Sequence, residues 1–301
     1  MKGRWRHNKD IDFKKWDALV NNSANATVFS TYHYLNSTCP DWHAFVDESY
    51  TYGFPVGVTT RLGVKSIYPP FFHRYSEIIG DSSKVNLDDL KRSMTDEFPK
   101  GILHSKSALF EKITCEEFVY QSINKENYKL KTQAKRMLKK FEQSGLSVET
   151  DNNRSSEVLN LIKQELSKKM ELYASSSSLA LDKLISDLPE NISLKTIVLK
   201  EDTEIVGGLL GLEFKESVLY LKGTTTEKTK DSGGMYALMD YLIHFSIDQN
   251  KEFDFGGSRV KGVRFFNTRF NAEDKTYFCY QWDNSPGWYK FLKRIDRWRK
   301  K

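Results

Sequence analysis

The chain has 301 residues, of which 39% are hydrophobic and 13% aromatic, so it can form one large or two ordinary domains with a substantial core. Its mean hydropathy is −0.58 and no run of about 18 apolar residues occurs, which argues against a membrane-spanning helix. The net charge of +6 favours partners that carry phosphate, whether nucleic acid, coenzyme or lipid, without choosing among them.

The first half of the chain, residues 1–124, is predicted to be a mixed α/β unit. An acidic cap followed by apolar residues at helical spacing marks its first helix, and glycine and proline separate two short strands. The predicted elements are a helix at 12–22, a turn with an aromatic segment at 25–34, strands at 43–47 and 56–62, a loop or edge strand at 65–79, and a helix at 87–98.

The second half, residues 125–301, is predicted to begin with a basic helix that ends at Gly145. The elements that follow are a strand at 146–149, a helix at 155–172, a polar loop at 175–178, a short helix at 180–188, strands from 193 to 225, a helix from 235, a strand before 256, a strand at 276–282 and a terminal helix at 287–301. Two strand clusters flanked by helices predict two α/β halves around a shared cleft.

Two glycine pairs stand out in the second half. In the first, a strand ends in a turn that feeds a helix, where amide groups and the helix dipole can hold a phosphate. The residues of this turn are Lys230, Asp231, Ser232, Gly233, Gly234 and Met235. The second pair follows Asp254, a carboxylate that either orients an acceptor amine or caps the turn at Gly256.

The remaining patterns are less specific. The basic helix carries Lys135, Arg136 and Lys139, which either contact phosphates or form a solvated face. Six histidines show no pair at helical spacing, so no metal site is expected. Three distant cysteines, without a Cys-x-x-Cys motif or a secretory signal, are typical of reduced thiols in a cytoplasmic protein.

These motifs, taken in order, resemble the FemAB-like acyltransferases of the GNAT superfamily over most of the chain. The matching segments are WDALVNNSANATVFSTYHYLNS, YPPFFHRYSEIIG, KLKTQAKRMLKKFEQSGLSVE, EIVGGLLGLEF, DSGGMYALMDYLIHFSI and FDFGG with FFNTRFNAE. The resemblance implies two tandem GNAT-like halves, with the acyl donor bound by the second.

Two positions depart from the family pattern. The donor loop of the family reads Arg/Gln-x-x-Gly-x-Gly/Ala, and Met235 stands at its last position here. Asn267 stands where relatives have a lysine that is linked to the reacting carbonyl. Either Lys261, Arg264 or Arg269 substitutes for that lysine, or the chemistry differs, or the member is weak or inactive.

The resemblance therefore implies an N-acyltransferase that moves an acyl or aminoacyl group to an amine. Its donor is expected to be acyl-CoA rather than aminoacyl-tRNA, because the basic patch is small. The acceptor is expected to be a small molecule or a peptidoglycan-precursor-like amine. Asp254 is expected to orient or deprotonate the amine, and Arg264 or Asn267 to bind the oxyanion.

Two other hypotheses remain open. The first is a catalytically lapsed GNAT-fold protein that binds or scaffolds, for which Asn267 is the main argument. The second is peripheral membrane contact through residues 288–301, in which Trp288, Phe291 and Ile295 share one helical face. We expect that face to pack on its own domain instead.

Overall fold

The structure is a computed structural model that describes residues 3–111, 113–167, 174–257 and 260–299. The chain divides into two compact units, and each is described by itself. Unit 1 comprises Met1–Phe118 and Thr276–Lys301, and unit 2 comprises Val119–Lys275. The predicted halves, 1–124 and 125–301, divide the chain at one point in the sequence. The compact units divide it differently, because the last 26 residues pack with unit 1, so the predicted boundaries stay a prediction.

Unit 1 is built on a sheet with its strands in the order β1-β2-β3-β4-β6, and β13 pairs with β6. All of its pairs are antiparallel except β4 with β6, which are joined through helix α3. Its elements are β1 (Arg4–His7), α1 (Phe13–Asn22), α2 (Tyr32–Thr38), β2 (Trp42–Val46), β3 (Tyr52–Arg61), β4 (Val64–Ile67), β5 (Ile79–Gly80), α3 (Leu87–Glu97), β6 (Lys100–Ser105), α9 (Gly287–Arg299), and parts of β7 (Thr114–Ile123) and β13 (Glu273–Asp283).

Unit 2 has a sheet in the order β7-β12-β11-β10-β9-β8. Strands β11 and β12 form a parallel pair and are joined through helix α7. Its elements are the end of β7, α4 (Thr132–Glu142), β8 (Leu146–Thr150), α5 (Ser155–Ser167), α6 (Ala174–Ile185), β9 (Ser193–Glu201), β10 (Glu204–Phe214), β11 (Ser217–Thr225), α7 (Gly234–Ile247), β12 (Glu252–Asp254), α8 (Lys261–Asn267) and the start of β13.

The two units repeat one order of elements. Apart from the two-residue strand β5 of unit 1, each has a strand, two helices, three antiparallel strands, a helix and a strand parallel to the last of those three, and the strands lie in the same spatial order. Each also has its own core, around Phe54 and Phe98 in unit 1 and around Leu242 and Phe253 in unit 2. The predicted fold class, two mixed α/β halves, is therefore confirmed.

Several predicted elements are corrected. The basic helix begins at Thr132 rather than at residue 125, because Asn124 and Asn127 bond each other's backbone amides and Lys131 N donates to Arg269 O at 2.9 Å. The serine tract predicted as a loop at 175–178 lies in α6. Leu181 and Leu184 are buried on one face of this helix, and the helix continues from them towards the N-terminus through the serine tract.

Several elements were not predicted. Strand β1 precedes the first predicted helix, α2 forms where a turn was expected, and β6 and β7 follow the helix predicted at 87–98. Helix α8 lies after β12, where no element was predicted. Both helices have seven residues, too short for periodicity to separate them from loops. Among the described residues, the search for helices long and apolar enough to cross a membrane finds none.

Candidate functional site

Strands β11 and β12 of unit 2 run parallel for only three residues and then separate. The last paired residues are Leu219 and Asp254, after which β11 continues to Thr225 while β12 ends. Gly256 then turns with φ +78° so close to β11 that a Cβ on it would lie 2.6 Å from Tyr220 O. The paired ladder therefore ends at Asp254, and the chain leaves β11 only after the turn at Gly256.

The turn before α7 requires glycine at one position. Gly233 has φ +89°, and a Cβ on it would lie 2.2 Å from the carbonyl oxygen of Met137 in helix α4. The backbone of α4 thus packs against the turn where the sequence predicted a phosphate site. A side chain at Gly233 would displace that helix, so substitution there does not test donor binding with the fold intact.

Some amides of this turn are already used. Ser232 N donates to Thr229 O at 3.1 Å, and Gly234 N donates to Ser232 Oγ at 3.1 Å. In the part of the chain that the structure describes, the amides of Met235 and Tyr236 have no acceptor, as is usual for the first turn of a helix. These two amides, at the positive end of a 14-residue helix, remain available to an anion.

The two charged residues of the predicted donor site lie at the surface. Asp231 is exposed, and Lys230 Nζ lies 3.2 Å from Glu227 Oε1. An exposed pair of this kind contributes about 0–1 kcal/mol to stability, so Lys230 can exchange its partner for a phosphate at little cost.

Asp254 caps the second glycine turn. Its Oδ1 accepts a hydrogen bond from Gly256 N at 2.8 Å, in agreement with the structural alternative considered from the sequence. Its role towards an amine stays a prediction.

The two candidates for binding the oxyanion, Arg264 and Asn267, both lie on helix α8 but differ in exposure. Arg264 is exposed and forms an ion pair with Asp274. Asn267 is only 3% exposed and is the last residue of α8. Of the two, Asn267 is therefore the side chain that packing holds in place, whereas Arg264 is engaged at the surface with Asp274.

An aromatic cluster connects the donor turn before α7, the end of β12 and helix α8. Tyr236, at the start of α7, packs on Phe266 of α8 with ring centroids 4.8 Å apart. Phe266 contacts Phe270 at 5.5 Å, and Phe270 contacts Phe255, next to Asp254, at 6.3 Å. The donor turn, the end of β12 and the end of α8 therefore belong to one packed region of unit 2.

Helix α4 presents a larger basic surface than its sequence indicated. Within the described chain no acidic partner is found for its cations, which are Lys131, Lys135, Arg136, Lys139 and Lys140. A groove of about 520 Å³ begins at its N-terminus and is also lined by Lys129 and Arg269. The charges are exposed, which is what contact with an extended polyanion requires.

Sequence reasoning missed a hydrogen-bonded group beside α7. The Tyr128 hydroxyl donates to Asp240, and His244 lies with its ring 4.9 Å from that of Tyr128. Burial raises the pKa of both Tyr128 and Asp240, with the hydrogen bond acting in addition on Tyr128. The spacing of Asp240 and His244, four residues apart on one helix, was the available signal.

Unit 1 holds a buried carboxyl that the sequence did not reveal. Glu77 is 7% exposed, and its Oε2 has no hydrogen-bond partner in the described residues. Burial raises its pKa to about 7, which Lys106 partly opposes. Nearby on the same segment, burial lowers the pKa of His73 to about 4.

Unit 1 also joins two histidines and an aspartate that helical spacing could not reveal. His7 and His43 are opposite each other on β1 and β2, and His7 Nε2 donates to Asp41 Oδ1 at 2.7 Å. Since His7 Nδ1 accepts from Lys9 N at 3.1 Å, the proton of His7 lies on Nε2. Metal binding through Nε2 would break this arrangement, so the group is a hydrogen-bonded cluster rather than a preformed metal centre.

A comparison with protein families finds a match that lies within unit 2. The sequence profile of the acetyltransferase (GNAT) domain matches residues 128–264. No curated protein matches the chain.

Solved structures share the fold at low identity. The C-terminal domain of a putative lysylphosphatidylglycerol synthetase from Agrobacterium fabrum has a TM-score of 0.62 at 12% identity, covering 91% of this chain and 92% of that one. L-PGS from Bacillus licheniformis has a TM-score of 0.60 at 15% identity, covering 94% and 96%. FemX has a TM-score of 0.62 at 10% identity, covering 92% and 97%. Identities this low show a common fold only.

Proposed function

We propose that the chain is an N-acyltransferase, since residues 128–264 match the acetyltransferase (GNAT) domain and FemX shares the fold of the chain. The acyl or aminoacyl group passes from an activated, phosphate-bearing donor to an amine. The observation that carries this proposal is the start of α7, where two open amides follow the left-handed turn at Gly233.

The proposed chemistry is direct attack by the amine on the donor carbonyl, without a covalent protein intermediate. The attack places a negative charge on the carbonyl oxygen, and the carbonyl bond re-forms as the thiolate or ester oxygen leaves. The Asn267 Nδ2 amide donates a hydrogen bond to that oxyanion, since Arg264 is paired with Asp274. Asp254, at the end of the paired ladder, orients the amine and receives its proton.

The first candidate donor is an acyl-CoA thioester. The turn is compact, and its open amides at Met235 and Tyr236 suit a single pyrophosphate. The second candidate is aminoacyl-tRNA, which the exposed cations of α4 favour because a polynucleotide contacts many charges at once. For the acceptor we propose a primary amine on a small molecule or a peptidoglycan-precursor-like compound, a class that the fold shared with FemX supports by analogy only.

A transfer assay tests the reaction itself. The protein is incubated with acetyl-CoA and a panel of primary amines, and free thiol release is followed. Release that depends on an amine supports the proposal. Binding of CoA without release under any condition favours the alternative, a lapsed GNAT-fold binding protein, for which Asn267 in place of lysine is the supporting observation.

Binding measurements separate the two donors. Lys230→Ala should weaken CoA binding about threefold to tenfold, whereas the neighbouring control Lys228→Ala, which removes a pair with Glu201, should not. Reversing Lys135 and Lys139 to Glu should instead abolish binding of deacylated tRNA and leave CoA affinity within about threefold. Loss of CoA binding only in the second variant would place the phosphates on α4.

A further inference from the structure

The positive charge of the chain is concentrated in its last segment. Residues 287–301 contain seven Lys or Arg and one Asp, a net charge of +6, which equals the net charge of the whole protein. The preceding 286 residues are therefore neutral overall. Residues 129–140 form a second basic segment, with six Lys or Arg and no acidic residue, so the positive charge is local at both places rather than a general property of the surface.

Helix α9 also exposes an apolar stripe. Trp288, Phe291, Leu292 and Ile295 are 52%, 63%, 41% and 38% exposed. Their spacing of three and four residues aligns them along one side of the helix. The expectation that this face packs on its own domain is thus contradicted for these four residues.

The attachment of α9 explains why the stripe is exposed. Tyr289 is 2% exposed and is the buried side chain of the first turn, about 100° around the helix from Trp288. Lys290 Nζ donates to Asp283 O at 3.1 Å and fixes the same turn. The helix is therefore held through Tyr289 and Lys290, which turns the stripe away from unit 1.

Cations occupy the other faces of α9. Arg294 is exposed, Lys290 is exposed and bonded to Asp283 O, and Lys293 lies over the ring of Tyr289 at 5.2 Å. Aromatic and aliphatic groups next to Lys and Arg form the two-part surface that an interfacial helix presents to a bilayer. A second copy of the chain would bring its own +6 segment against this one, whereas anionic lipid headgroups neutralise it.

We propose that α9 docks the protein on an anionic membrane surface, with the apolar stripe in the headgroup region and the cations against lipid phosphates. This inference concerns unit 1 and does not depend on the donor or on the reaction.

Vesicle co-sedimentation of the full chain tests it. Vesicles of phosphatidylglycerol and phosphatidylcholine in equal parts should bind the protein at least about tenfold more tightly than phosphatidylcholine alone, and salt should weaken binding. Phe291→Ser with Ile295→Ser should reduce binding at least about tenfold. The control Phe13→Ser removes another exposed aromatic of unit 1, 52% exposed, and should have no effect.

Three results would overturn the proposal. The first is no binding to the anionic vesicles at low salt. The second is binding that Lys293→Glu with Arg294→Glu abolishes but Phe291→Ser with Ile295→Ser leaves unchanged, which would indicate a soluble polyanion. The third is a native dimer, detected by light scattering, that the Phe291→Ser and Ile295→Ser changes convert to a monomer without vesicle binding by either form.

Discussion

Asn267 is a nearly buried side chain, 3% exposed, at the end of α8. Alanine is smaller than asparagine and favours a helix, so the replacement keeps the backbone of α8. The free energy of unfolding of Asn267→Ala should therefore fall by no more than about 1–2 kcal/mol. If Asn267 binds the oxyanion, the transfer rate should fall by about 10²–10³.

The control for this prediction is another asparagine four residues later. Asn271 Nδ2 donates to Asn127 O at 2.7 Å, and its φ is +65°. Asn271→Ala should lower stability while leaving the rate per folded molecule nearly unchanged. Urea unfolding and a transfer assay on both variants check the contrast. An active Asn267→Ala enzyme would remove Asn267 from the reaction, and activity gained only in Asn267→Lys would favour the lapsed-enzyme hypothesis.

At the scale of elements, the turn at Gly233 joins α4 to α7. Gly233→Ala forces a left-handed conformation on alanine and brings its Cβ against the carbonyl of Met137. We expect a loss of about 2 kcal/mol or more in the free energy of unfolding.

The matched control for Gly233 is Gly262→Ala. Gly262 lies in α8 with no atom within 4 Å of its added Cβ, so alanine there should be neutral or stabilise by up to about 1 kcal/mol. Urea unfolding of both variants measures the difference. Equal stabilities would show that α4 can move away from the turn at no cost.

The same elements show what the sequence could predict. A strand, a glycine pair and an apolar helix are local signals, and they identified the turn at residues 230–235 and helix α7. The seven-residue helix α8 was missed because its contacts, such as Phe266 on Tyr236, come from distant parts of the chain. Periodicity gave the stripe on α9, but only the anchoring of Tyr289 determines which side faces solvent.

The site residues also divide into those that local sequence signals reveal and those that depend on tertiary contacts. Asp254 was found because it precedes a glycine turn, and its role as a cap was one of the two alternatives weighed. The pairing of Arg264 with Asp274 and the burial of Glu77 depend on tertiary packing, which residue spacing does not encode. The contact of His7 with His43 depends on strand register, so a search at helical spacing could not find it.

For the whole molecule, the charge distribution and the buried titratable groups set the response to acid. Burial lowers the pKa of His43 and of His73 to about 4. Between pH 6.5 and 4 these two groups bind protons in the unfolded chain but not in the folded one, so stability falls as the pH falls. Glu77 acts in the opposite sense, because its pKa is raised to about 7 and stability is lost as the pH rises through that value.

Near pH 5.5 the two histidines and Glu77 have opposite effects, and together the three groups bind about one more proton in the unfolded state than in the folded state. Glu77→Gln removes the proton that the folded state binds at Glu77. The variant should steepen the dependence of the unfolding free energy on pH by about 1.4 kcal/mol per pH unit there, and should stabilise the protein by about 1–3 kcal/mol at pH 8. Glu190→Gln, at an exposed position, serves as the control. Urea unfolding at several pH values between 5 and 8 measures both quantities. A Glu77→Gln variant that is less stable at pH 8 would mean that the carboxylate has a partner in the folded protein, and that its burial is not what sets its pKa.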